Sequence, residues 1–121
     1  MKSELQELKE RLETAIKQLE ENESEKATYD YVIARTYSAG VFAGELKSRN
    51  GKEVELLNAR RLWSWSGAAS LSQLAMEGTS NPEYCKFPCE VTSVILTEVI
   101  ELLPVTDKGK KAIKGVPVWK A

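Results

Sequence analysis

Residues 41–57, VFAGELKSRNGKEVELL, contain the clearest turn signal in the chain, the pair Asn50-Gly51. Both residues accept the positive φ angles that a type I′ turn requires, and such a turn joins two antiparallel strands directly. Valine, phenylalanine and other strand-forming residues lie on both sides of the pair. We therefore expect a β-hairpin, with one strand over residues 41–49 and the next from about 52 to 65.

The other elements of the body are predicted by working outward from this hairpin. The stretch before it is aromatic and β-branched, which is typical of a strand, whereas Gly67 ends the strand after it. The remaining predicted elements are a strand over residues 29–37, a helix over residues 68–78, a strand over residues 91–103 with a bend near Thr97, and a short helix over residues 105–116. Together they predict an α+β fold, in which an antiparallel β-sheet carries one packed helix and a short C-terminal helix.

The N-terminal segment has helical periodicity from Ser3 to about Lys26. Apolar residues recur there every three or four positions, at Leu5, Leu8, Leu12, Ile16 and Leu19. Because so narrow a stripe needs a partner, the helix is expected either to pack against copies of itself or to lie across the body of its own subunit. We interpret residues 1–26 as a long amphipathic helix for oligomerisation or docking, and residues 27–121 as a compact ligand-binding body.

The composition is that of a soluble globular protein with one domain. The chain has 121 residues, of which 42% are hydrophobic and 29% are charged, and its formal net charge is −1. This balance argues against long nucleic acids and membrane surfaces as partners, because both are bound through an excess of basic residues. No secretory leader and no membrane-spanning apolar run is evident, so a cytoplasmic protein is expected.

The residue types present give little support to catalysis or metal binding. The chain has no histidine, which excludes a Ser-His-Asp or Cys-His arrangement. It also lacks a P-loop motif and paired carboxylates in a loop. Cys85 and Cys89 are the only cysteines, too few ligands for a zinc site, and are interpreted as thiols in a reducing compartment. We expect a binding protein without catalytic residues, metal or cofactor.

The turn after the first predicted strand is the first candidate ligand site. Arg35, Thr36, Tyr37 and Ser38 are consecutive there, so a guanidinium, hydroxyl groups, an aromatic ring and backbone amides lie close together. Such a set can hold a phosphate and stack a base. The alternative for Arg35 is an ordinary surface ion pair.

Two arginines and two tryptophans at the end of the third predicted strand extend this candidate site. Arg60 and Arg61 would point to opposite faces of a strand, so one of them at most can share a face with Arg35. The same alternation puts Trp63 and Trp65 on the face of Arg61, where we expect them mainly to pack in the core.

A phenylalanine ring and a cluster of lysines are the last candidate ligand-binding groups. Phe87 lies in a proline-flanked loop and is expected to be an exposed stacking ring. Lys110 and Lys111 belong to a basic cluster near the C-terminus that could form the electrostatic wall of an anion site. The alternative is that these lysines form a solvated face.

Four motifs, RTYSAGVFAGEL, NARRLWSWSGAASLSQLA, ILTEVIELLP and VPVWK, resemble a family of small proteins encoded mainly by phages and prophages. The similarity covers about residues 29–120 and leaves out the N-terminal helix. The family resembled includes the Thoeris anti-defence sponges of the first type, which sequester cyclic ADP-ribose isomers made by bacterial immune enzymes.

The resemblance implies a non-enzymatic sponge that acts in the cytoplasm of an infected bacterium and blocks Thoeris-type immunity. Some sponges also hold cyclic oligonucleotides at a second site, and they form homo-oligomers from dimers up to hexamers. No ligand-binding motif is carried over residue by residue, so the candidate residues above rest on their chemistry. Two alternatives stay open: a phage structural or assembly protein oligomerised through the N-terminal helix, and a protein inhibitor of a host enzyme.

Overall fold

A computed structural model describes residues 3–14 and 29–121 of the chain. Residues 4–14 form helix α1. The body contains strands β1 (Tyr31–Thr36), β2 (Val41–Asn50), β3 (Glu53–Arg61), β4 (Val91–Leu96) and β5 (Val99–Pro104), helices α2 (Leu71–Glu77) and α3 (Asp107–Gly115), and a 3₁₀ turn (Pro82–Tyr84). The α+β class and the antiparallel sheet predicted from the sequence are confirmed.

The five strands form one antiparallel sheet in the order β4-β3-β2-β1-β5. β4 and β5 are therefore at opposite edges, although only Thr97 and Glu98 separate them in the chain. The edges of a flat five-stranded sheet would be about 19 Å apart, whereas three Cα–Cα steps reach at most about 11 Å. The sheet must therefore curl until its two edges approach each other.

The interior of this curled sheet is one of two hydrophobic clusters. Its fully buried members all come from strands: Val32, Ala34, Phe42, Val54, Leu56, Ala59, Leu96 and Val99. Ile33 points to the opposite face of β1 and belongs to the second cluster, which contains residues of α2 and α3. β1 is thus buried on both faces, which explains why it begins with the uninterrupted run Tyr-Val-Ile-Ala.

Bulges in β2 and β3 allow the curl. Between Ala43 and Glu45 the extra residue is in β3, where Asn58 has a φ of +49°, and between Leu46 and Ser48 it is in β2. Such bulges bend a strand and increase its twist. A Cβ atom on Gly44 would lie 3.1 Å from the Cα of Ala59. Glycine therefore lets the two strands approach closely at the bend.

The helices pack closely because glycines lie where they touch. A Cβ atom on Gly78, which ends α2, would overlap the Cβ of Ala112 in α3, and one on Gly109 would overlap the carbonyl of Ala75 in α2. Gly109 lowers the intrinsic helix propensity of α3, but Thr106 caps that helix by accepting a hydrogen bond from the Gly109 amide. The close packing of α3 on α2 therefore explains why a glycine occupies position 109 within a helix.

Several predicted boundaries are corrected by the structure. β3 ends at Arg61, not near residue 65, and the predicted strand 91–103 is two strands joined at the predicted bend. The N-terminal helix is short where it is described, over residues 4–14, and residues 15–26 of its predicted range lie outside the described part. No helix in the described residues is long and apolar enough to cross a membrane.

Candidate functional site

Arg60, a predicted ligand-binding residue, is buried and uses its guanidinium in hydrogen bonds within the fold. Its side chain is only 3% exposed, and it lies over the ring of Phe87 at 5.6 Å from the ring centroid. The guanidinium donates hydrogen bonds of 2.8–3.1 Å to four carbonyls, those of Phe87, Pro88, Ile113 and Pro117. Burial lowers the pKa of Arg60. The arginine therefore joins β3 to the loop before β4, to α3 and to the C-terminal tail.

Phe87 is fully buried, so the prediction of an exposed stacking ring is wrong. Its backbone pairs with Val118 in an isolated parallel bridge, and its carbonyl accepts a hydrogen bond from the Trp119 amide. The flanking proline indicated a loop, and residues 85–90 do lie outside strands and helices apart from isolated bridges. Pairing with the C-terminal tail is what brings the ring into the core.

Trp63 is largely exposed, at 62%, so the prediction that it packs in the core is also wrong. β3 ends two residues earlier, and the alternation of strand faces no longer applies at this position. The ring of Trp63 stacks on that of Trp119, with centroids 6.4 Å apart and planes inclined by 15°. Lys86 lies over the other tryptophan, with its Nζ atom 5.6 Å from the centroid of the Trp119 ring.

A cavity of about 220 Å³ lies beside this stacked pair. We call it the Arg61 pocket, and its lining residues are Ala39, Gly40, Val41, Arg61, Leu62, Trp63 and Trp65. Strand pairing brings the β1–β2 turn and the end of β3 together, because Phe42 is paired with Arg61 and the Leu62 amide donates to the Val41 carbonyl. Of the predicted ligand-binding residues, Arg61 lines the pocket, whereas residues 35–38 do not, although Ala39 and Gly40 of the same turn do.

Arg61 is the charged group of the pocket. Its guanidinium carbon lies 4.6 Å from the centroid of the Phe42 ring, which holds the side chain over the strand. It makes no ion pair with the residues that the structure describes, whereas Arg35 pairs with Glu101 at 3.4 Å. Of the candidate arginines, Arg61 is therefore the one whose charge faces the pocket without a neutralising carboxylate.

The predicted cluster at residues 35–38 has mainly internal contacts. The Thr36 hydroxyl donates to the Gly40 carbonyl at 2.8 Å and accepts from the Ala39 amide at 2.9 Å. Ser38 donates to a carboxylate oxygen of Glu98 at 3.2 Å. These bonds fix the turn that borders the Arg61 pocket. Tyr37 is 80% exposed, so its ring remains available at the surface.

The two candidate lysines lie elsewhere, on α3. Lys110 is 5.5 Å from the centroid of the Tyr31 ring, and Lys111 is exposed. Lys110 also lines a larger cavity of about 540 Å³, whose apolar wall includes Leu46 and Leu102 and whose rim includes Asp107. Neither lysine lines the Arg61 pocket.

Residues 29–113 match the sequence model of DUF6948, a domain of unknown function. The chain belongs to the DUF6948 family. Comparisons with curated proteins and with solved structures gave no significant match.

The DUF6948 segment begins just before β1 and ends within α3. It includes the complete lining of the Arg61 pocket, whereas Trp119 and helix α1 lie outside it. The aromatic pair beside the pocket thus joins a residue of the family segment to one of the C-terminal tail. Trp119 was not among the predicted site residues, because its contact with Trp63 depends on the fold of the tail.

The two cysteines of this DUF6948 protein have separate surroundings. Cys85 is buried and its thiol lies 3.5 Å from the Ser66 carbonyl, whereas Cys89 is exposed. Within the described ranges, no group of three or more metal-ligating side chains is found. The cysteines therefore add no chemical group to the Arg61 pocket.

Proposed function

We propose that this DUF6948 protein is a non-catalytic sponge, which binds and sequesters a small cyclic nucleotide at a site that includes the Arg61 pocket. The observation that supports the proposal most strongly is the arrangement of one unpaired guanidinium, one exposed indole and one tight turn around a single cavity. A guanidinium binds phosphate through two parallel hydrogen bonds. An indole face stacks a base, with a contribution of about 1–3 kcal/mol per base.

The size and surroundings of the pocket suggest how such a ligand would lie. At about 220 Å³ it is smaller than most pockets for drug-sized ligands, which measure about 300–1,000 Å³. It therefore suits one base or one phosphoribose unit, with the rest of the ligand extending over the surface. The Trp63–Trp119 stack and Lys86 offer a second ring face and a second positive charge next to the opening.

The resemblance to the Thoeris anti-defence sponges supplies the ligand class of the proposal. It makes a cyclic ADP-ribose isomer the first candidate and a cyclic oligonucleotide the second. The protein would act in the cytoplasm of an infected bacterium, as a homo-oligomer of dimer to hexamer size, and would block Thoeris-type immunity by lowering the free signal. The absence of histidine from the sequence is compatible with storage of the ligand without turnover.

Heat release tests both binding and the fate of the ligand. The full chain is incubated with a cyclic ADP-ribose isomer, freed of unbound ligand, denatured by heat, and its supernatant is separated by chromatography. Recovery of the intact ligand is expected. A cleaved product would indicate an enzyme, and no recovery with any isomer or cyclic oligonucleotide would refute the proposal.

Variants with matched controls locate the site in the same assay. Arg61→Ala and Trp63→Ala are expected to abolish or strongly reduce recovery. Arg49→Ala and Tyr84→Ala remove an exposed arginine and an exposed ring that do not line the pocket, and are expected to leave recovery unchanged. Equal effects of pocket and control variants would refute the assignment of the ligand to the Arg61 pocket.

A second candidate function is that of a phage structural or assembly protein. The exposed leucines of α1 favour it, because an apolar helix face is typical of an association surface. Co-purification with phage particles, together with a failure to bind any nucleotide, would support this function over the sponge.

A further inference from the structure

Trp119 lies beside the Arg61 pocket without lining it. Its ring stacks on that of Trp63, with centroids 6.4 Å apart and planes inclined by 15°. Trp63 lines the pocket, whereas Trp119 is not among the lining residues. Trp119 therefore packs against Trp63 from outside the pocket.

The C-terminal tail holds Trp119 in this place through its backbone. The Trp119 amide donates to the Phe87 carbonyl at 3.0 Å, and Val118 forms an isolated parallel bridge with Phe87. One residue before Val118, the Pro117 carbonyl accepts a hydrogen bond of 3.1 Å from the buried guanidinium of Arg60. The Trp119 ring is thus attached to the fold by contacts that do not involve Trp63.

Lys86 links the two tryptophans. Its carbonyl accepts hydrogen bonds from the amides of Trp63 at 3.2 Å and Ser64 at 3.3 Å. Its Nζ atom lies 5.6 Å from the centroid of the Trp119 ring, a distance at which an ammonium is attracted by an indole face. The backbone at Trp63 and the ring of Trp119 are therefore held by the same residue.

Trp63 has an exposed ring and lies beyond the regular part of β3. The residue is 62% exposed, and it follows the end of the strand by two positions. A side chain that must be immobilised when a ligand binds weakens the affinity about 2- to 12-fold. A ring that is already held in place avoids this cost.

We propose that Trp119 is a positioning residue for the Arg61 pocket, which holds the Trp63 indole in the orientation in which that ring stacks a base. The inference rests on the proposed nucleotide site, but the support of Trp63 by Trp119 is a property of the free protein. The alternative is that the Trp119 ring contacts the ligand directly beside the opening, and a double variant distinguishes the two roles.

The first experiment needs no nucleotide and measures the motion of the Trp63 ring by time-resolved fluorescence anisotropy. In a Trp65→Phe background, Trp119→Phe leaves Trp63 as the only tryptophan and keeps a ring against it, whereas Trp119→Ala removes that ring. The local rotation of Trp63 is expected to have a larger amplitude in the Trp119→Ala variant than in the Trp119→Phe variant. Equal amplitudes would overturn the proposal.

The second experiment is a calorimetric titration with a cyclic ADP-ribose isomer. Trp119→Ala is expected to raise the dissociation constant about 2- to 12-fold, and Trp119→Phe to restore most of the affinity. The control, Val118→Ala, changes an exposed residue of the same tail and is expected to leave the affinity unchanged. In a Trp63→Ala background, Trp119→Ala is expected to cause no further loss, because the ring that it supports is absent. Urea denaturation confirms that each variant is folded.

The outcomes separate this inference from the proposed function. Wild-type affinity in the Trp119→Ala variant, or an equal further loss in the Trp63→Ala background, would overturn the positioning role. If the wild-type chain binds no cyclic nucleotide, the proposed function fails, and the anisotropy measurement alone decides whether Trp119 holds the Trp63 ring in place.

Discussion

Replacement of Arg60 by alanine is expected to destabilise the body severely, although the residue lies one position from the proposed ligand contact. The guanidinium donates to four carbonyls, and the bonds to the carbonyls of Phe87 and Ile113 are fully buried. Both carbonyls keep a backbone donor, the Trp119 and Val116 amides, so what is lost is the hydrogen bond to a charged group, which contributes about 1.5–3 kcal/mol. The two buried bonds alone therefore predict a loss of about 3–6 kcal/mol in the free energy of unfolding.

The assay is urea denaturation followed by tryptophan fluorescence, with Arg61→Ala as the matched control. Arg61 is exposed and lies over the Phe42 ring, so its removal is expected to lower the free energy of unfolding by no more than about 1 kcal/mol. A domain of this size has a total stability of about 5–15 kcal/mol, which makes the two losses easy to distinguish. Equal losses for the two variants, or a loss below about 1 kcal/mol for Arg60→Ala, would refute the structural role.

Three further predictions concern stability and binding. Gly78→Ala is expected to lower the free energy of unfolding by about 1–3 kcal/mol, because Gly78 has a φ of +79° and its Cβ would overlap Ala112. Gly115→Ala, where a Cβ meets nothing within 4 Å, is expected to leave stability unchanged or raise it slightly. Thermal unfolding of both variants tests this prediction. Trp63→Ala is expected to lower the free energy of unfolding by less than the roughly 3–5 kcal/mol lost with a core tryptophan, yet to weaken nucleotide binding about 5- to 150-fold. Denaturation and calorimetry measure the two effects, and a larger change in stability than in binding free energy would contradict the prediction. Burial raises the pKa of Tyr31 above its ordinary value of about 10. The stability tied to its neutral form is therefore present below about pH 10 and is lost as the pH rises above it. Tyr31→Phe should reduce this alkaline loss, and identical pH profiles of the free energy of unfolding for variant and wild type would count against it.

The hairpin and the fold class were predictable because their signals are local. The hairpin forms where Asn50-Gly51 predicted it, but the predicted type I′ geometry is wrong: Asn50 ends β2 paired with Glu53, and the positive φ is at Gly51, +61°, and not at Asn50. The bend near Thr97 was also predicted. That the two strands beside it would lie at opposite edges of the sheet was not predictable, because edge position depends on which strands pair and not on the sequence at the bend.

The site was only partly predictable. Trp63 was expected to be buried and is exposed, whereas Phe87 was expected to be exposed and is buried. Both predictions followed a local pattern, strand alternation for one residue and a flanking proline for the other. Their burial is instead set by contacts distant in sequence, the bridge from Phe87 to Val118 and the stack of Trp63 on Trp119. The expectation that Arg60 and Arg61 face opposite ways agrees with the structure, because both still lie in β3, where Arg60 is buried and Arg61 is exposed.

Calorimetric titration measures whether the Arg61 pocket binds a cyclic nucleotide, as we propose. A cyclic ADP-ribose isomer is titrated into the wild-type chain and into Arg61→Ala, after denaturation has shown that the variant is folded. We expect saturable binding to the wild type and an at least tenfold higher dissociation constant for the variant, which corresponds to about 1.4 kcal/mol of binding free energy. Equal affinities, or no binding of any isomer to the wild type, would contradict it.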